Sequence, residues 1–164
     1  MAVRGPDFPP LLELGWHHMS MSDVRRLCVD AFPLSATRAG LMAGLETVAS
    51  RLVAVGIVGD LWIDGSFITE KINPKDTDIL LHVDGMSMYE CGTLEQRDVI
   101  DWIIRNLKNT DLLCDSYHLF TYHIPHLLVD EGEWNRSYWH HQFGFSREFD
   151  AKAIVEVSVP GGAK

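Results

Sequence analysis

The chain has no apolar run long enough to span a bilayer, which takes roughly 18–20 residues, so no membrane partner is expected. Its first residues carry one Arg and no apolar h-region, so no secretory signal is expected. Cysteine is scarce: Cys28, Cys91 and Cys114 lie far apart, with no C-x-x-C pair. That argues against a disulfide scaffold or a zinc site and fits a reducing cytoplasm. Positive charge is scarce too, with 14 Lys and Arg against 23 Asp and Glu, a formal net charge of −9. A general nucleic-acid binder needs a basic face to displace counterions, so that class is not expected, although a local basic patch is compatible. Eight histidines are present, including His17-His18, His118, His123, His126 and His140-His141. None has H-E-x-x-H or Cys/His zinc spacing, so they read as packing and local hydrogen bonding. There is no internal repeat and no low-complexity stretch.

What is present suffices for one globular domain. The length is 164 residues, 46% are hydrophobic, and there are 5 Trp, 4 Tyr and 7 Phe. Residues 1–19, rich in Pro at first and then in Gly and His, read as an extended arm. Residues 20–164 read as a single domain. Ser20-Met21-Ser22-Asp23 is a capping-box-like start to a short helix ending near Phe32, where Pro33 stops it. Ser35 can cap a second helix to about Val55, with Leu41, Leu45, Val48 and Leu52 at three- and four-residue steps. Strands are expected at 60–63 and 77–84, a helix at 93–107, a third strand at 112–122 and a last one at 153–159. Residues 85–92 read as a loop, and residues 123–150, rich in aromatics and His, as irregular chain. Within the latter, Trp134, Tyr138, Trp139 and Phe143 suggest a lid over the core or an interface. The fold class is α/β, a mixed sheet packed by helices.

The chemistry concentrates between residues 60 and 120. A strand, Leu61-Trp62-Ile63-Asp64, ends in the turn Gly65-Ser66. The segment Asp76-Thr77-Asp78-Ile79-Leu80-Leu81 then opens the next strand. Side chains alternate along a strand, so Asp76 and Asp78 point the same way. Two carboxylates held that close repel each other unless a cation sits between them. Hard oxygens on a rigid strand suit Mg²⁺, commonly held by one or two carboxylates plus substrate phosphates. Gly65 allows close backbone approach to a ligand, and neighbouring N–H groups can hold phosphate oxygens. Ser66 and Thr69 offer hydroxyls to the same phosphates, and Lys71 and Lys75 offer charge from the connecting loop. Asp64, just before the glycine, reads as a turn residue. Asp115, in Leu112-Leu113-Cys114-Asp115-Ser116-Tyr117, is a third acid. It joins the pair only if its strand neighbours the second strand in the right register.

Gly-Ser, a spacer of about ten residues, Asp-x-Asp with apolar flanks and a later acid resemble the pattern of the nucleotidyltransferase superfamily that includes DNA polymerase beta. The opening Pro9-Pro10 and the ending Tyr138-Trp139-His140-His141-Gln142-Phe143-Gly144-Phe145-Ser146-Arg147 are similar to small bacterial members of that superfamily, of the kind found in toxin–antitoxin pairs. The resemblance implies transfer of a nucleoside monophosphate from an NTP, ATP foremost, to a protein or RNA acceptor. It implies Mg²⁺ held by Asp76, Asp78 and Asp115, with Asp115 able to accept the hydroxyl proton. Gly65, Ser66, Thr69, Lys71 and Lys75 would surround the phosphates. A minimal core of this kind implies a protein partner or a second copy to complete the site. Two other functions are compatible with the same acids: a nucleotide-binding sensor or partner-binding subunit without transfer, and a metal-dependent phosphohydrolase. The Gly-Ser element disfavours the last.

Overall fold

A computed structural model describes residues 8–160. Five strands form one mixed sheet: β1 (Gly15–His18), β2 (Gly59–Asp64), β3 (Thr77–Asp84), β4 (Cys114–Thr121) and β5 (Ala153–Val159). Their spatial order is β1-β5-β2-β3-β4. The pairs β1–β5 and β3–β4 are parallel, whereas β2 runs antiparallel to both β3 and β5. Four helices accompany the sheet: α1 (Met21–Arg25), α2 (Arg38–Ala54), α3 (Leu94–Ile104) and α4 (Val129–Gly144). None among the described residues is long and apolar enough to cross a membrane.

Alternation along the strands builds two cores of unequal size. Ile79, Leu81 and Val83 of β3 point to one face with Leu61 and Ile63 of β2 and Val155, Val157 and Val159 of β5, all buried. On that face they meet Leu41, Leu45, Val48 and Leu52 of α2, and Ile100 and Ile103 of α3. The opposite face holds a smaller cluster of Trp62, Leu80, Leu119, Ile154 and Phe143. The capping boxes form as the residues dictate. Ser20 and Asp23 close the start of α1, and Thr93 and Gln96 the start of α3. The N-cap of α2 is Thr37, two residues later than the pattern suggests, and Ser35 instead accepts hydrogen bonds from the Thr37 and Arg38 amides at 3.3 and 3.1 Å ahead of the helix.

Several sequence expectations are corrected. The arm expected over 1–19 includes a regular element. Gly15–His18 pairs with β5 as an edge strand, with Trp16 opposite Ile154. Residues 1–7 of that arm and residues 161–164 of the expected domain lie outside the described residues. Residues 123–150 are not irregular throughout, because 129–144 form α4, whose Phe143 and Trp139 pack over the smaller core. The expected loop 85–92 contains a turn of π-helix, Met86–Glu90, and a second π-turn, Arg26–Asp30, continues α1.

Candidate active site

Register across the sheet decides the site. Asp64 at the end of β2 pairs with Asp78 of β3, and Asp78 pairs with Asp115 of β4. Paired residues in adjacent strands share a face, and strands lie roughly 4.8 Å apart. The three carboxylates therefore form a row across the sheet. Asp76, two residues before Asp78, joins its end through a shared partner. The Lys108 ammonium lies 3.0 Å from Asp76 Oδ2 and 2.8 Å from Asp115 Oδ2. The expected trio of Asp76, Asp78 and Asp115 is thus brought together, and the register that Asp115 required is present.

Asp64 stands at the head of the Gly65–Ile68 turn as expected, but its side chain makes no capping hydrogen bond. It is buried at 5% exposure and accepts a 2.7 Å hydrogen bond from the Lys152 ammonium. Its position directly before the Gly-Ser turn was the available signal. Lys152 and Lys108 gave none, because only the fold brings them 88 and 7 residues along the chain to their partners. Asn106 was missed as well. It adopts a left-handed conformation (φ 62°), which Asn tolerates better than most residues. Its Nδ2 donates to Asp115 Oδ1 at 2.6 Å, and its Oδ1 accepts from the Lys108 amide at 2.9 Å. One side chain thereby fixes both the acid and the backbone that carries the lysine.

The electrostatics of the row are uneven. Burial, then the charges of Asp64, Asp76 and Asp115, push the Asp78 carboxyl up from 3.8 to about 6. No hydrogen bond or ion pair to that carboxylate forms among the described residues. Burial also pushes Asp115 upward, but hydrogen bonds from Asn106 and Lys108 outweigh it and leave this acid below its ordinary value. Burial raises Asp64 despite the opposing Lys152 charge. Burial and the neighbouring Asp115 push the Tyr117 phenol up to about 12. Asp115, held firmly as a carboxylate, is a weak base, and Asp78 has a greater proton affinity than Asp115.

The Gly-Ser turn stands directly against this row. Gly65 has φ +80°, and a Cβ there would come within 1.8 Å of Asp78 Oδ2. Only glycine suits both the dihedral and the contact. The turn is a short 3₁₀ segment, Gly65–Ile68, closed when Thr69 donates from its amide and its hydroxyl to the Ser66 carbonyl at 3.3 and 2.8 Å. Below it lies Arg38, fully buried, which donates to the carbonyls of Cys28, Phe67, Thr69 and Lys71 at 2.6–3.2 Å and stacks on Phe32. A buried guanidinium is costly unless its donors are satisfied, and here the backbone satisfies them. Arg38 thereby fixes the path of the chain leaving the turn. Of the expected phosphate ligands, Gly65 and Ser66 lie beside the acids. The Thr69 hydroxyl is engaged within the turn, the Lys71 ammonium lies over the Phe8 ring, and Lys75 is exposed in the loop.

The donor set fits a hard divalent cation in its chemistry, with carboxylate oxygens, mutual repulsion and an Asp78 carboxylate lacking a partner of its own. Asp76, Asp78 and Asp115 are the residues that would hold Mg²⁺. No three His, Cys, Asp or Glu side chains among the described residues converge on one point in this arrangement. Lys108 stands in the gap between Asp76 and Asp115.

The histidines behave as packing and hydrogen-bonding groups. His140 packs on Trp16 and Trp62, His118 on Phe120, and His126 stacks on Tyr122 while meeting Glu90 at 3.1 Å. The aromatic segment divides in two. Trp139 and Phe143 pack around Tyr117, whereas Trp134 and Tyr138 stack on each other and remain exposed. A large apolar cavity of about 1060 Å³ lies away from the acids, between the start of α1 and the end of α2.

Comparison with curated proteins and with solved structures finds no match. A family model does match, over residues 6–158, nearly the whole chain and all of the acid row. On that match the chain belongs to DUF6932, a family of unknown function.

Proposed function

We propose that the protein is a nucleotidyltransferase, moving a nucleoside monophosphate from an NTP, ATP foremost, to a hydroxyl of a protein or RNA acceptor. The observation that carries this reading is the row Asp64–Asp78–Asp115 with Gly65 against Asp78. A phosphate-sized turn and a set of carboxylates share one end of one sheet face. In the reaction the acceptor oxygen bonds to the α-phosphorus, the α–β bridging bond breaks, and pyrophosphate leaves. Bound Mg²⁺ supplies charge neutralisation at the phosphates and a more acidic acceptor hydroxyl. Gly65 lets the backbone of the turn stand directly against Asp78, so that the triphosphate tail on the turn lies beside the acids. Ser66 and the backbone of the turn hold its oxygens, and Arg38 keeps that backbone in place. Asp76, Asp78 and Asp115 orient the reacting groups, and Asp78 takes up the acceptor proton.

A second reading, a nucleotide-binding sensor without transfer, has one observation in its favour. A lysine stands between two of the acids, and an ammonium supplies charge without a Lewis-acid site for the acceptor hydroxyl. Both readings require nucleotide binding at the acids. The test is calorimetric titration of each NTP with Mg²⁺ into the wild-type chain and into the Asp76→Ala/Asp78→Ala variant. Binding by wild type and its loss in a folded variant is expected. Equal binding by the two would remove the site from consideration.

A further inference from the structure

Lys108 is placed with unusual care for a surface lysine. Its ammonium touches Asp76 Oδ2 at 3.0 Å and Asp115 Oδ2 at 2.8 Å. Its amide is held by Asn106 Oδ1, and the same Asn106 side chain holds Asp115. The next amide back, that of Leu107, donates to the Ser116 hydroxyl at 3.0 Å, tying the turn to β4. The backbone of Lys108 is thus anchored to the strand that carries Asp115. Its side chain is 47% exposed. A fixed root and a solvent-accessible tip describe an arm that can leave its partners without disturbing the fold. The gap it occupies is bounded by two of the three acids that suit a divalent cation, and two cations cannot share that gap.

We propose that Lys108 is a resident counter-cation of the acid row, which holds the Asp76–Asp115 gap in the ion-free chain and swings out when a divalent ion enters. The inference rests on the reading of Asp76, Asp78 and Asp115 as a divalent-ion site. Physically, the lysine screens carboxylates that would otherwise repel one another. It also sets a threshold for ion binding, since an entering ion must replace two charge-assisted contacts. Occupancy of the gap by lysine and by metal is mutually exclusive, and such exclusion appears as a reciprocal loss of affinity.

The test uses the full chain with Mn²⁺ as the probe ion, in two measurements. Mn²⁺ binding is followed by the loss of free-ion EPR signal for wild type, Lys108→Ala and the control Arg97→Ala, which removes an exposed charge of α3. Lysine accessibility is followed in wild type by acylation with an amine-reactive ester and mass spectrometry, across the same titration. The expected result is that Lys108→Ala binds Mn²⁺ roughly tenfold more tightly or better, with little change for Arg97→Ala. Acylation of Lys108 in wild type should start slow and rise severalfold along the binding curve. Equal Mn²⁺ affinity in wild type and Lys108→Ala, or a Lys108 acylation rate that ignores bound Mn²⁺, would overturn the inference and leave the divalent-ion site standing. No Mn²⁺ binding by any of the three chains would overturn both.

Discussion

Asp78 carries a charge that the folded chain accommodates poorly, and Asp78→Asn should therefore stabilise the protein. Burial and three neighbouring acids raise this carboxyl from 3.8 to about 6. Each unit corresponds to about 1.4 kcal/mol, so the ceiling is about 3 kcal/mol. Solvent at the open side of the row screens part of this, leaving about 1–2 kcal/mol. The sign follows from proton binding. Between pH 4 and 6 the native chain holds a proton on Asp78 that the unfolded chain has released, so this group lowers stability as pH rises through that window, and the loss is complete above pH 6. Asn removes the charge at every pH. The assay is urea unfolding of wild type and Asp78→Asn from pH 4 to pH 8, without divalent ions. The two curves should converge near pH 4 and separate as pH rises, with the variant more stable by about 1–2 kcal/mol at pH 8. In a thermal scan of a chain this size that is about 2–8 °C. The difference reports Asp78 together with its coupling to Asp64, Asp76 and Asp115. A variant equal to or weaker than wild type at pH 8 would refute the claim that the buried, acid-flanked Asp78 charge costs stability.

Three further outcomes follow from the same contacts. Gly65→Ala places a methyl against Asp78 Oδ2 in a left-handed backbone. It should cost at least about 2 kcal/mol in urea unfolding and abolish nucleotide binding in the fraction that folds. Arg38→Met removes the donors to four backbone carbonyls; buried carbonyls left unpaired should cost about 3 kcal/mol or more. Hydrogen exchange in that variant should quicken first over residues 65–71. Phe143→Ala empties the centre of the smaller core and should cost about 3–5 kcal/mol. Amide exchange should rise in α4 while α2 stays protected, because the two helices serve separate cores.

Where a pattern had a period, the sequence was legible. The strands at 59–64, 77–84 and 153–159 show in Leu61/Ile63, Ile79/Leu81/Val83 and Val155/Val157/Val159, each alternating with residues of the other face. α2 shows in apolar residues three and four apart. By contrast, α4 has aromatics and histidines on every side. Gly132, Trp139, His140 and Phe143 meet the sheet, a line that mixes a glycine and a histidine with two aromatics, so no apolar stripe stands out. β1 is four residues long at an edge, with Gly15, Trp16, His17 and His18 giving no alternation to read. At the site, spacing picks out Asp76 and Asp78, and the resemblance to the superfamily picks out Asp115. Their alignment is a property of strand register, which no local pattern encodes. Asp64 joins the row for the same reason, although its place in the sequence shows only the head of a turn. The two lysines and Asn106 were invisible because their roles arise only where separate segments meet.

The central claim, that the row transfers a nucleotide, is tested most directly with α-labelled NTPs. The purified chain is incubated with each labelled NTP and Mg²⁺ in the presence of total cell protein and RNA from which the chain has been removed, beside the Asp76→Ala/Asp78→Ala variant. The account predicts label on a protein or RNA band with the wild-type chain alone, with pyrophosphate released in equal amount. Nucleotide bound by the wild-type chain, with no label transferred from any of the NTPs, would contradict it and leave the sensor in its place.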